Sequence, residues 1–199
     1  MIKVLNIILI VSFLIACPKS YAEEKAGMSD ALMVIHSRKS VRNFTGESVS
    51  KEALDKIVRA GMAAPTAVNM QPWSFIIVTE RKTLDALRSR LPYADMLDKA
   101  GAAIIVCAIP AEAFQQSADI AVLDATCASE NILLAAEALG LGAVWTSVYP
   151  DKDTMSAVRN VLGISPDIIP LNVIPIGHPT GIDKPKDKYN PKNIHWEKW

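Results

Sequence analysis

The sequence predicts a single domain in which a central β-sheet is flanked by helices, and three observations lead there. Short β-rich apolar runs at residues 74–79, 103–109 and 168–176 alternate with longer stretches of helical period. The chain has 199 residues, half of them hydrophobic, which suits one domain with a substantial core. No repeat and no internal linker divides it. Alternation of strand with helix, taken alone, favours a doubly wound parallel sheet.

The elements follow in order. Leu32, Met33 and Ile35 place a short helix over residues 28–36, ending near Ser37. Ser50 is a good N-cap, Val49 and Leu54 stand at the positions of a hydrophobic staple, and Leu54, Ile57, Val58 and Met62 recur with helical period until Pro65. Residues 74–79 read Ser-Phe-Ile-Ile-Val-Thr, a buried strand, and residues 81–91 are helical. A second apolar strand over 103–109 stops at Pro110. The Ala-rich run 118–139 is a long helix closed by Gly140; being apolar on most faces, it belongs inside the molecule or at a subunit interface. Residues 143–147 form a third strand, 153–162 a helix stopped by Gly163, and 168–176 a fourth strand. From His178 the tail is rich in Pro, Lys, Asp and Asn and has no periodicity.

The first residues read as an export signal rather than as part of the fold. Lys3 precedes a mostly apolar stretch from Val4 to Ala16, too short for a membrane span of about 20 residues, and Ser20-Tyr21-Ala22 offers small residues at the two positions that signal cleavage needs. Cleavage after Ala22 and a periplasmic location are expected. A second reading takes Leu14-Ile15-Ala16-Cys17 as a lipobox, with Cys17 the lipidated first residue of a membrane-anchored protein, although Pro18 and Lys19 are an unusual start for one. The full chain carries 21 basic and 21 acidic groups; loss of Lys3 and Lys19 lowers the basic count to 19 and leaves the mature chain mildly acidic. Such a balance gives no support to nucleic acid as a partner. Cys107 and Cys127 then remain, with buried free thiols the default and a disulfide open in an exported protein.

Two motifs carry the chemistry. Arg38-Lys39-Ser40-Val41-Arg42 sets two guanidinium groups and a hydroxyl within five residues, which suits a dianionic phosphate. Pro65-Thr66-Ala67-Val68-Asn69-Met70-Gln71-Pro72-Trp73 joins small and amide side chains to a Pro-Trp hinge, which suits close backbone approach to a flat polar ring. Further on stand Gly140-Leu141-Gly142-Ala143-Val144-Trp145-Thr146, then Pro175-Ile176-Gly177-His178-Pro179, then a tail ending His195-Trp196-Glu197-Lys198-Trp199. In order, spacing and flanks these segments resemble the FMN-dependent nitroreductase family over residues 30–199. That resemblance implies an α+β nitroreductase-like fold, a mixed central β-sheet with helices on both sides, in an interlocked homodimer whose C-terminal segment wraps onto the partner. The domain is then 23–199, after a leader over 1–22.

The same resemblance implies FMN as cofactor and assigns residues to it. Arg38 would take the phosphate with Ser40, and Arg42 the ribityl chain or the pyrimidine edge, while Lys39 faces solvent. Pro65, Thr66, Ala67 and Asn69 would approach the flavin from the neighbouring subunit; Gln71, Pro72 and Trp73 would be structural. Trp145 and Thr146 lie where backbone groups would serve the reactive side of the ring. Lys188 stands where many relatives carry an arginine for the phosphate, and a lysine keeps the charge but loses the fork. No acid, base or nucleophile of the protein is required, because the cofactor carries the hydride. The implied activity is ping-pong reduction of nitroaromatic, quinone or related small aromatic acceptors by NAD(P)H or another donor. A flavin carrier or sensor without turnover, and a different reductive chemistry such as dehalogenation, are the alternatives; residues 91–118 are where a lid would lie. His36, His178 and His195 show no metal spacing, and no metal is expected.

Overall fold

The computed structural model describes residues 31–199. The expected leader, its Cys17 and the first residues of the helix expected from Met28 lie outside the described residues. In chain order the elements are α1 (Ala31–Ser37), α2 (Lys51–Met62), β1 (Trp73–Val78), α3 (Arg81–Arg88), β2 (Ala102–Ala108), α4 (Ala118–Ala138), β3 (Gly142–Ala143), β4 (Thr146–Ser147), α5 (Lys152–Leu162) and β5 (Ile169–Gly177).

Local chemistry sets the helix limits. The Ser50 hydroxyl accepts the Ala53 amide at 3.2 Å at the head of α2, where Val49 and Leu54 are both buried. Ser117 and Asp151 cap α4 and α5 in the same way, at 3.3 and 2.8 Å. Beyond α4, the Leu141 amide returns to the Ala136 carbonyl at 2.9 Å through a left-handed Gly140 (φ 71°), and Gly163 (φ 68°) ends α5.

The strand order is β1-β2-β5-β3, with β4 also on β5. Every ladder is antiparallel, and among the described residues the one parallel pairing is a single bridge between Ser40 and Ala143. The doubly wound parallel sheet favoured by alternation alone is therefore not formed, for a topological reason. β2 and β3, joined through α4, are both antiparallel to β5 and so run in one direction, as strands joined by a crossover helix should. β5 then enters between them from later in the chain, and every neighbouring pair becomes antiparallel.

The expected strand over 143–147 is interrupted. Its two halves keep one register against β5, Ala143 opposite Ile176 and Thr146 opposite Val173. Between them Val144 faces Pro175, to whose carbonyl its amide reaches at 3.4 Å, and Pro175 has no N–H with which to answer. The ladder fails at that pair and the chain continues as two short strands.

β2 is buried along its whole length and sorts its side chains to two cores. Ile104 and Val106 join Leu54, Ile57 and Val58 of α2 and Ala125 and Ile132 of α4 on one face. Ala103, Ile105 and Cys107 join Leu84 and Leu87 of α3 and Val158 of α5 on the other. Each Ile, Leu or Val side chain among them contributes about 1.5–3 kcal/mol by burial. The result is a three-layer arrangement that leaves the segment after α1 lying along the β3 end of the sheet.

Candidate flavin site

The segment after α1 is held between α4 and the sheet. The Arg38 amide donates to the Val34 carbonyl at 2.9 Å and the Val41 amide to the Ala143 carbonyl at 3.0 Å. Val41 is buried, and a Cβ on Gly142 would stand 2.5 Å from its Cγ1, so the close approach of the two segments requires glycine there. Lys39 does not face solvent as expected. Its Nζ donates to both carboxylate oxygens of Glu137 at 3.0 Å. Val41 is buried and Lys39 reaches α4, whereas Ser40 and Arg42 are exposed. Arg38 rests with its Nε 3.4 Å from Glu130 on α4.

The segment continues onto the start of the tail. Asp183 accepts the Arg42 and Asn43 amides at 3.2 and 3.1 Å, and the Asn43 side chain donates to both its oxygens at 3.2 Å. Burial alone would push the Asp183 carboxyl up, but the Asn43 bonds, the Arg42 amide and the Arg42 charge outweigh it and hold it below the usual carboxylate range. Nothing in the local sequence marks Asp183; its partners lie 140 residues away and only the fold brings them together.

Two hollows flank this segment. The smaller, of about 470 Å³, is lined by Arg38 and Lys188 together with Ile35, His36, Lys186 and Tyr189 among others, so it gathers both cations assigned to the phosphate. The larger, of about 1180 Å³, is lined by Arg42, Tyr93, Met96, Lys99, Trp145 and Thr146 among others. Trp145 Nε1 donates to Ser147 Oγ at 2.9 Å, and the buried Thr146 hydroxyl has no hydrogen-bond partner among the described residues. The span expected to hold a lid divides between the hollow and other surface. Pro92, Tyr93, Asp95 and Met96 line the larger hollow, whereas Phe114, Gln115 and Gln116 line neither.

Pro65, Thr66, Ala67 and Asn69 line neither hollow of their own chain. The turn they form is strained: Val68, Asn69 and Gln71 have φ of 44°, 61° and 56°, a region that a β-branched valine rarely enters. It is fixed internally by the Gln71 amide on Thr66 Oγ1 and by Gln71 Nε2 on Asn69 Oδ1, both at 3.1 Å. It is fixed to α4 by Asp124, whose Oδ1 accepts the Ala67 amide at 3.1 Å while its buried Oδ2 has no partner among the described residues. Asp124, in the middle of a helix expected to be apolar, carried no signal in the sequence.

The cysteines part company. Burial pushes the Cys107 thiol up to about 12, with the Arg159 charge pulling weakly the other way, whereas Cys127 is exposed on α4 rather than buried as expected. Both are free thiols.

Against known proteins, the nitroreductase family model matches residues 35–92 and 81–178. A protein of Archaeoglobus fulgidus, named as a candidate NADH dehydrogenase/NAD(P)H nitroreductase, is 41% identical over 175 residues, covering 86% of this chain and 100% of its own. A solved structure with the same description from Parabacteroides distasonis superposes with a TM-score of 0.81 at 47% identity, covering 86% of this chain and 99% of that one. A nitroreductase-type structure from Desulfovibrio desulfuricans, solved in complex with FMN, superposes with a TM-score of 0.74 at 27% identity, over 86% of this chain and 98% of that one.

Proposed function

The chain belongs to the nitroreductase family, and from that premise we infer that it is an FMN-dependent oxidoreductase that carries reducing equivalents from NAD(P)H or another donor to nitroaromatic, quinone or related small aromatic acceptors. The observation that carries the site assignment is the meeting of Arg38 and Lys188, 150 positions apart in sequence, on one hollow. The chain's residues fit the cofactor. Arg38 and Lys188 would hold the phosphate, Ser40 is exposed between Lys39 and Val41 but lines neither hollow, Arg42 would face the ribityl chain or the pyrimidine edge, and Trp145 and Thr146 line the larger hollow. That hollow is large by the standard of small-molecule sites, about 300–1,000 Å³, which leaves space for an acceptor beside a ring.

Bound FMN supplies the hydride chemistry. The chain's own part is to hold, orient and polarise. Arg42 and Lys99 stand in the larger hollow together with Asp95, Asp98 and Asp151, so any stabilisation of an electron-rich ring falls to Arg42 at close range rather than to the charge of the hollow as a whole. The strained Pro65–Asn69 turn is best explained as the contribution of a second copy, since it is rigidly presented yet serves neither hollow of its own chain. A homodimer with two shared sites follows.

Export is part of the proposal. The family match begins at residue 35, downstream of the whole expected leader. A chain cleaved after Ala22 would fold and meet FMN in the periplasm, where a donor other than NAD(P)H could serve. The chain starting at residue 23, once purified, should show a flavin spectrum that NADH or NADPH bleaches and that an added quinone restores. A colourless protein that cannot be reconstituted with FMN would end this reading, and a yellow protein without turnover would make it a carrier. Full-length protein recovered from the cytoplasm would remove the export step alone.

A further inference from the structure

Helix α4 offers the segment after α1 two carboxylates, Glu130 and Glu137. Seven residues are close to two turns, so both stand on one face of the helix. They meet adjacent cations in different ways. Lys39 and Glu137 form a two-pronged bond at 3.0 Å with side chains only 21% and 16% exposed. Glu130 is 50% exposed and lies 3.4 Å from Arg38 Nε, beyond the roughly 2.7–2.9 Å of a charge-assisted hydrogen bond.

We propose that these two carboxylates act in opposite senses on cofactor binding: Glu137 holds Lys39 and so fixes the segment that presents Arg38 to the smaller hollow, while Glu130 competes with the cofactor phosphate for Arg38. The proposal rests on the reading that Arg38 takes the FMN phosphate. Geometry makes the first role specific. The Lys39 bond to α4 and the burial of Val41 hold the segment on either side of Ser40, directly after Arg38; release of Lys39 removes the anchor next to Arg38. The second role follows from charge. A carboxylate beside Arg38 partly neutralises the guanidinium and repels a dianion brought to the same group, and its weak, half-exposed contact is one that a phosphate can displace. Glu137 and Glu130 are positioning and tuning residues, not catalytic ones.

Riboflavin differs from FMN in lacking the phosphate, so the ratio of the two dissociation constants isolates the phosphate end. Both constants are measured by flavin fluorescence quenching on the apoprotein, with thermal melting alongside. Glu130→Gln should tighten FMN about two- to fivefold and leave riboflavin unchanged. Glu137→Gln should weaken FMN about tenfold, with a smaller effect on riboflavin, because it leaves a largely buried ammonium unpaired and loosens the segment beside Arg38. The exchange Lys39→Glu with Glu137→Lys should restore most of that loss. Glu130→Gln with an unchanged or smaller ratio, or Glu137→Gln with equal loss for both flavins, would overturn the proposal while the FMN reading stands. Should Glu137→Gln fail to fold, the half-exposed Glu130 variant decides alone. A wild-type chain that binds neither flavin overturns the reading and the proposal together.

Discussion

At the scale of single residues, several groups around the site are held by identifiable contacts, Lys39 by Glu137 and the Arg42–Asn43 backbone by Asp183. Arg38 is the side chain on which the phosphate assignment depends. Replacement by Ala should cost about 1.5–3 kcal/mol of FMN affinity, the worth of a charge-assisted hydrogen bond, with the melting temperature little changed; retention of flavin after dialysis equal to wild type would refute it. Asp183 gives a pH signature. Its carboxyl is depressed in the folded chain, so its hold on Arg42 and Asn43 is complete above the ordinary value of about 3.9 and is lost as pH falls through the lower folded value. Fluorescence of the tail tryptophans Trp196 and Trp199 should therefore shift below about pH 4, and Asp183→Asn should remove that component; an identical profile in the variant would show that the tail is held elsewhere. How much of the site was legible divides along the same line. Arg38, Ser40 and Arg42 could be found because they are adjacent and chemically distinctive. Lys39 was misread because its partner Glu137 lies 98 residues away, and local sequence cannot tell a solvated lysine from a paired one.

At the scale of elements, the helices were readable because caps and breakers are local. Ser50, Pro65, Gly140 and Gly163 each act within a few residues of the helix end they define. Strand direction was not, since it depends on β5 entering between β2 and β3, and no pattern within β2 or β3 announces a third strand between them. The break at Val144 belongs to the same class: Pro175 sits in a distant strand and silences a hydrogen bond that nothing within residues 143–147 forbids. The Gly142 contact gives this level its test. A methyl group at that position must push Val41 and its segment from β3, so Gly142→Ala should cost about 1–3 kcal/mol of stability and loosen flavin binding in the same variant. A variant as stable as wild type would mean that the two segments can separate without harm to the core.

At the scale of the whole molecule, two features bear on the proposed dimer. Large apolar side chains stand exposed on α1, along residues 62–70 and on α4, with Leu123 64% exposed, and the tail ends in the exposed Trp196 and Trp199. Both facts agree with a second copy covering the first group and receiving the tail. Truncation after Pro191 should lower the dimer's apparent mass in sedimentation and release flavin together; a truncated chain that stays dimeric and yellow would show that the tail is not exchanged.

The position of β5 has a further consequence, for the order in which the molecule can exist. The strand that joins β2 to β3 and β4 is the last to be made, spanning Ile169–Gly177 of a 199-residue chain. Until it emerges, β2 is a fully apolar strand paired on one edge only, and α4 has no completed sheet to cover. A nascent chain therefore gains little by collapsing early, and the cooperative core closes only when about nine-tenths of the polypeptide is available. That delay keeps most of the chain threadable until synthesis is nearly complete, which is the condition that the proposed passage through a narrow secretion pore would impose.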